Sequence, residues 1–141
     1  MKKSFVCALI LLSGCAAPRE VPQPETNGAV QPDPLYCTTR ADCTTKVSRT
    51  LLFVFDYAAA GGHLVQRREQ WLFTPADAAP SDWPAISIRL AEPVDGRFEF
   101  AAECRLSSCR HGSEELLRVY RSYLADRPCS LLLDSAIRAC R

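Results

Sequence analysis

Six cysteines, Cys37, Cys43, Cys104, Cys109, Cys129 and Cys140, lie in the part of the chain that follows residue 36. An even set of thiols in a small exported domain reads as a disulfide framework. Each bridge contributes about 2–4 kcal/mol, so three are comparable to the whole stability of a small domain. The pairing is left open. Cys37 and Cys43 bound a polar stretch that its own bridge can close, and either is as free to reach a distant partner. One pairing meets a geometric objection. Ser130 is placed to start a helix with Leu133, Ala136, Ile137 and Cys140 on one stripe. On such a helix Cys129 and Cys140 sit about 16 Å apart, whereas a disulfide needs Cα atoms within about 7 Å. The expectation is that Cys129 and Cys140 do not pair. At least one of the bridges Cys37–Cys43 and Cys104–Cys109 is then absent, and the helices are stapled to the sheet or to the N-terminal segment.

The start of the chain bears on the compartment. Lys2 and Lys3 precede an apolar run over residues 5–12, the length of a signal-peptide core and far short of a bilayer span. Ser13 and Gly14 are the small residues a signal peptidase accommodates. The run ends in Leu12-Ser13-Gly14-Cys15, which resembles the lipobox of bacterial lipoproteins, a resemblance confined to roughly the first twenty residues. It implies that residues 1–14 are removed and that Cys15 becomes a lipidated first residue. That residue would carry a diacylglyceryl group and a third, amide-linked chain. One acyl chain binds a membrane marginally; two or more hold it stably. The residue after the cysteine is Ala16 and not aspartate, which for this family implies the periplasmic face of an outer membrane. The alternative, an ordinary secretory signal with an incidental cysteine, still exports the chain.

Residues 15–36 read as the lipidated N-terminus and a linker. Pro18, Pro22, Pro24, Pro32 and Pro34 are half of the chain's 10 prolines, and no apolar period accompanies them. Such chain is semi-rigid at about 3.1 Å per residue, a reach of up to about 60 Å. Residues 37–141 remain for one domain and not two. The chain has 17 Lys+Arg against 16 Asp+Glu; loss of Lys2 and Lys3 makes it slightly acidic. With no long run of one sign, nucleic acid is not an expected partner. Lys46 is then the only lysine, which reflects arginine-biased codon usage rather than function.

Within that domain, residues 47–57 read as a strand, with Leu51, Phe53, Phe55 and Tyr57 on one face. A buried helix running into Ala58-Ala59-Ala60 is the alternative. Gly61-Gly62 breaks either element, and residues 64–73 form the second strand of a hairpin. After a proline-containing loop, Ile86, Ile88 and Leu90 alternate with polar or small residues. A turn ending at Asp95-Gly96 leads to Phe98, Phe100 and Ala102, which alternate likewise. Ser113 caps a helix whose stripe is Leu116, Val119, Tyr120, Tyr123 and Leu124, and Arg127-Pro128 stops it. The fold expected is α+β: a four-stranded antiparallel β-meander with two C-terminal helices on one face, stabilised by disulfides.

Catalytic patterns are sparse. A serine nucleophile needs a histidine base and an orienting carboxylate; His63 and His111 both fall in expected loops, and no Gly-x-Ser-x-Gly occurs. Both histidines read as exposed loop residues. Cys104-x4-Cys109-x-His111 lacks the tight Cys-x2-Cys spacing of zinc sites, and no Cys-x-x-Cys redox motif exists. Glu99 and Glu103 share a strand face but stand about 13 Å apart, too far for a glycosidase pair. No enzyme activity, metal or cofactor is expected. Leu52, Val54, Trp71 and Phe73 make a candidate partner groove, unless both faces of the first hairpin are buried. The role expected is a non-catalytic, membrane-anchored interaction module for another envelope protein, such as a pilotin-like accessory of an envelope or secretion machine. The alternative is an inhibitor or immunity protein against a lysozyme-type or other envelope hydrolase.

Overall fold

A computed structural model of the chain describes residues 32–94 and 96–141. The candidate lipidation site Cys15, the leader, nearly all of the linker, and Asp95 of the expected turn lie outside the described residues. The elements are β1 (Tyr36–Cys37), α1 (Arg40–Ala59), β2 (Gln66–Arg68), β3 (Trp71–Phe73), β4 (Ala85–Arg89), β5 (Gly96–Arg97), β6 (Glu99–Glu103), α2 (Ser113–Leu124) and α3 (Asp134–Ala139). The fold is α+β with antiparallel sheets. Strands β2-β3-β4-β6 form a four-stranded sheet in that order, and β1 pairs with β5 in a separate two-stranded ladder.

The largest departure from the sequence expectation is α1, a helix of 20 residues where residues 47–57 read as a strand. Its buried residues Cys43, Thr50, Phe53, Val54 and Tyr57, with Val47 packed beside them, recur at helical spacing. The continuous apolar run from Leu51 to Phe55 masks that period, and a polar Thr50 occupies one of its core positions. Thr39 caps the helix, its side chain accepting from the Asp42 N–H at 3.2 Å. Gly61 and Gly62 terminate the helix and do not turn a hairpin. The Gly62 N–H donates to the Tyr57 carbonyl at 2.9 Å and the Gly61 N–H to the Ala58 carbonyl at 3.2 Å, a Schellman closure with Gly61 at φ 113°. The hairpin forms one step later, inside residues 64–73: β2 and β3 pair Gln66 with Phe73 and Arg68 with Trp71. Glu69, at φ 56°, makes the turn.

Helices α1 and α2 cover one sheet face, and α3 packs against α2 rather than on the sheet, so the expected pair of C-terminal helices on one face is met by α2 alone. Leu72, Ile86 and Ile88 are buried on the covered face, and Phe53 of α1 sits edge-on to Phe100, Tyr120 and Tyr123. Burial of this aromatic and aliphatic set provides most of the driving force. Polar ties join α1 to α2: the Tyr123 hydroxyl donates to Asp56 at 2.7 Å, and Arg49 donates to the Leu124 carbonyl at 2.8 Å. At the start of α2 the cap is Gly112 and not Ser113, with the Glu115 carboxylate accepting from the Gly112 N–H at 3.0 Å.

All six cysteines pair locally: Cys37–Cys43, Cys104–Cys109 and Cys129–Cys140, with Cα separations of 5.0, 5.7 and 5.9 Å. The pairing excluded on sequence grounds is present, and both short-loop bridges coexist with it. The excluding premise was a helix from Ser130. Instead the Ser130 hydroxyl accepts from the Leu132 N–H at 3.2 Å, a local turn that competes with helix. Helix α3 starts only at Asp134 and has 6 residues. The chain over 130–133 thus returns Cys140 to Cys129. Each bridge closes a short loop, and Cys37–Cys43 also ties β1 to the first turn of α1, so one helix is stapled to the N-terminal strand as expected, while none is stapled to the four-stranded sheet.

Candidate interaction surface

The two sheet faces follow from register. In β4, Ile86 and Ile88 are buried while Ala85, Ser87 and Arg89 are half-buried on the opposite side. Their partners in β6 are Glu103, Ala101 and Glu99, all exposed. In β3, Trp71 is opposite Arg89 and Phe73 opposite Ser87. One cross-strand row therefore runs Arg68, Trp71, Arg89, Glu99, and the next Gln66, Phe73, Ser87, Ala101. Trp71, 42% exposed, lies between two arginines, and Arg89 pairs with Glu99 at 3.3 Å. Among the described residues no helix covers this face.

The expected groove of Val54, Trp71 and Phe73 does not assemble. Val54 belongs to α1 and is buried at 6% exposure, because a helix places it toward the core beside Phe53. Leu52 is exposed on the other side of the same helix, at 49%, near Phe55 at 66%. Trp71 and Phe73 stay together, two residues apart on the outer sheet face. Glu99 and Glu103 stand at opposite ends of β6, as their spacing dictates.

His111 also departs from expectation: it is buried, 2% exposed, and not a surface loop residue. Its ring lies 5.0 Å from that of Trp83, which stacks edge-on with Tyr57. Asp134 Oδ1 is 3.2 Å from Nε2 and Glu115 Oε2 is 3.9 Å from Nδ1, yet neither ring nitrogen makes a hydrogen bond within the chain. Buried this deeply, the imidazole is a strut between the loop before α2, the first turn of α3 and Trp83. Among the described residues no cluster of three or more His, Cys, Asp or Glu side chains is arranged to hold a metal ion. Burial raises the pKa values of Tyr57, Tyr120 and Tyr123; for Tyr123 the hydrogen bond and charge of Asp56 add to it. These hydroxyls stay protonated and serve as core donors.

Two surface features had no sequence reading. A cavity of about 300 Å³ is lined by Leu35, Arg97, Phe98, Glu99, Phe100 and Leu117, where β5 passes into β6 beside α2. The second is the outer edge of β6. Strand order alone carries the signal for it, since the last strand of a meander is an edge strand.

These features define a class: a small α+β domain, stapled by three local disulfides, with helices on one face of an antiparallel sheet and the other face uncovered among the described residues. No protein-family model, curated protein or solved structure matches the chain.

Proposed function

We propose that the chain is a lipoprotein anchored through Cys15 at the periplasmic face of a bacterial outer membrane, whose domain acts as a non-catalytic protein-interaction module. A pilotin-like accessory of an envelope or secretion machine is the concrete form of this reading. The observation that carries it is the complete pairing of the six domain cysteines. Stable local bridges belong to an oxidising compartment, and their closure leaves Cys15 as the one cysteine after the apolar leader for the lipid. The uncovered sheet face supports the interaction role, with Trp71 and Phe73 as aromatic anchors beside Arg68 and Arg89.

The experiment is Cys15→Ser in the full chain. The variant is expected to leave the membrane fraction with its three bridges intact, and to lose the envelope protein that cross-links to the anchored form. A variant that is cleaved at the same site and stays membrane-bound would put the anchor elsewhere. Trp71→Ala tests the face itself and should reduce cross-linking while leaving membrane attachment unchanged.

A second reading, an inhibitor of an envelope hydrolase, draws on one observation. The Cys104–Cys109 bridge closes a tight loop whose Leu106 is 45% exposed, the form of a rigid plug. Recovery of a soluble hydrolase whose activity falls on adding the chain, and recovers with Leu106→Asp, would favour it over the assembly role.

A further inference from the structure

The direction of each backbone group in the four-stranded sheet can be fixed. The Thr74 N–H donates to the Ile86 carbonyl and the Leu90 N–H to the Gln70 carbonyl, both at 2.8 Å. Ile86 and Leu90, and by alternation Ile88, therefore aim their backbone at β3. Ala85, Ser87 and Arg89 aim at β6 and engage Glu103, Ala101 and Glu99. The N–H and C=O groups of Phe100 and Ala102 then point away from the sheet, along its outer edge. Phe98 follows the same parity, and its N–H donates to the Leu35 carbonyl at 2.8 Å.

The chain itself thus starts to cover this edge and stops. β1 pairs Tyr36 with Arg97 and Cys37 with Gly96, and Leu35 reaches Phe98. Continued in the same register, the preceding residues would run beside Phe100 and Ala102. They are diverted. The Tyr36 and Leu35 N–H groups both fold onto Asp33, at 3.0 Å each, and Asp33 is held by Arg121 of α2 at 2.9 Å. Among the described residues nothing pairs with the remainder of the edge.

We propose that this edge of β6 is a strand-addition site, taking an extended segment of a partner protein in which apolar and basic residues alternate. The proposal deepens the interaction-module reading and rests on it. Main-chain pairing to Phe100 and Ala102 supplies the affinity, and the two side-chain faces supply the selectivity. On the helix side the incoming strand meets Phe100 and Leu117 and the cavity beside them, whose inner wall of Leu35, Phe98, Phe100 and Leu117 suits an apolar side chain and whose mouth carries Arg97 and Glu99. On the other side it meets Glu103, which has no ion-pair partner among the described residues, and Glu99, which Arg89 holds at 3.3 Å; Glu103 above all favours lysine or arginine directly across the ladder. A second copy of the chain fits poorly. Leu35 blocks the ladder at Phe98, and pairing of two β6 edges about Ala101 sets Glu99 of each copy against Glu103 of the other.

The test uses the full chain carrying Cys15→Ser and labelled peptides of alternating valine and lysine, or valine and glutamate. The Val-Lys peptide should bind, protect the Phe100 and Ala102 amides from hydrogen exchange, and outcompete the Val-Glu peptide. Ala102→Pro removes one edge N–H that β4 does not use, and should weaken binding about tenfold, the scale of one or two main-chain hydrogen bonds. Glu103→Lys, at an exposed position, should reverse the peptide preference with the thermal midpoint unchanged. The proposal is overturned if those amides are already protected in the free chain, whether by its own N-terminal segment or by a second copy. It is equally overturned if a folded Ala102→Pro binds the Val-Lys peptide as before. An envelope cross-link that survives Ala102→Pro and is lost with Trp71→Ala moves the interaction to the sheet face and removes the edge. Absence of any envelope cross-link to the anchored chain, with Cys15 intact, removes the interaction reading itself.

Discussion

Thr50 Oγ1 and the Tyr120 hydroxyl lie 2.9 Å apart in the core, and the same Thr50 oxygen donates to the Lys46 carbonyl. A threonine hydroxyl has one proton, so with that proton on Lys46 the Tyr120 O–H is the donor to Thr50. Both residues are fully buried. Thr50→Val should therefore cost more than Tyr120→Phe, because it leaves a buried donor without an acceptor, a penalty of about 1–3 kcal/mol. The double variant should cost less than the sum of the singles. Urea unfolding of the four proteins measures this, and strict additivity would show that the pair is not coupled.

The buried tyrosines set the alkaline limit of the fold. Tyr57, Tyr120 and Tyr123 are held above the ordinary value of 10.0, chiefly by burial. Above that pH the unfolded chain releases protons that the folded chain keeps. Stability is complete below pH 10 and falls as pH rises beyond it, by up to about 1.4 kcal/mol per pH unit for each tyrosine. Tyrosinate absorbance from these three should appear together with loss of the fold. Their titration in a chain that still shows native near-UV dichroism would contradict the packing described.

The bridges can be tested one at a time. A non-reducing digest should contain Cys37–Cys43, Cys104–Cys109 and Cys129–Cys140. Replacing Cys129 and Cys140 together by alanine opens a loop with a sequence separation of 11, worth about 2–3 kcal/mol on chain entropy. It also frees α3, which is too short to persist alone. The loss should show as a general rise in amide exchange from the lowered global stability, with a further local rise in residues 129–141. A general rise without the local one would mean that α3 is held by Ile137 in the core and not by the bridge.

How much of this was legible in the sequence depended on whether local pattern and tertiary position agreed. The strand at Ile86 and Ile88 and the helix carrying Leu116, Val119, Tyr120 and Tyr123 were legible because one face of each is buried. The outward Glu99, Ala101 and Glu103 were legible for the same reason. Helix α1 was not, because its run of Leu51 to Phe55 is apolar on every side and the polar Thr50 occupies a core position. The Cys129–Cys140 bridge was hidden by the boundary of α3: four residues of turn in place of helix convert a forbidden span into an allowed one. The candidate site was least legible. Val54 was assigned to an exposed face through the strand reading, and although strand order makes β6 an edge, how much of that edge stays open appears only where β1 stops at Leu35.

His111 offers the last test, since its burial comes without hydrogen bonds. Both ring nitrogens lack a partner within the chain, although Asp134 approaches Nε2 at 3.2 Å and Glu115 approaches Nδ1 at 3.9 Å. A side chain of similar size with no polar atoms to satisfy should serve as well in packing against Trp83. His111→Met is expected to be neutral or stabilising, because it removes unsatisfied polar groups. His111→Ala should cost about 2–4 kcal/mol through the cavity it leaves. Thermal unfolding near neutral pH, with Trp83 fluorescence as the probe, separates the two. If Met costs as much as Ala, the imidazole is held by its carboxylate neighbours and not by shape, and a dependence of stability on Asp134→Asn should then appear alongside it.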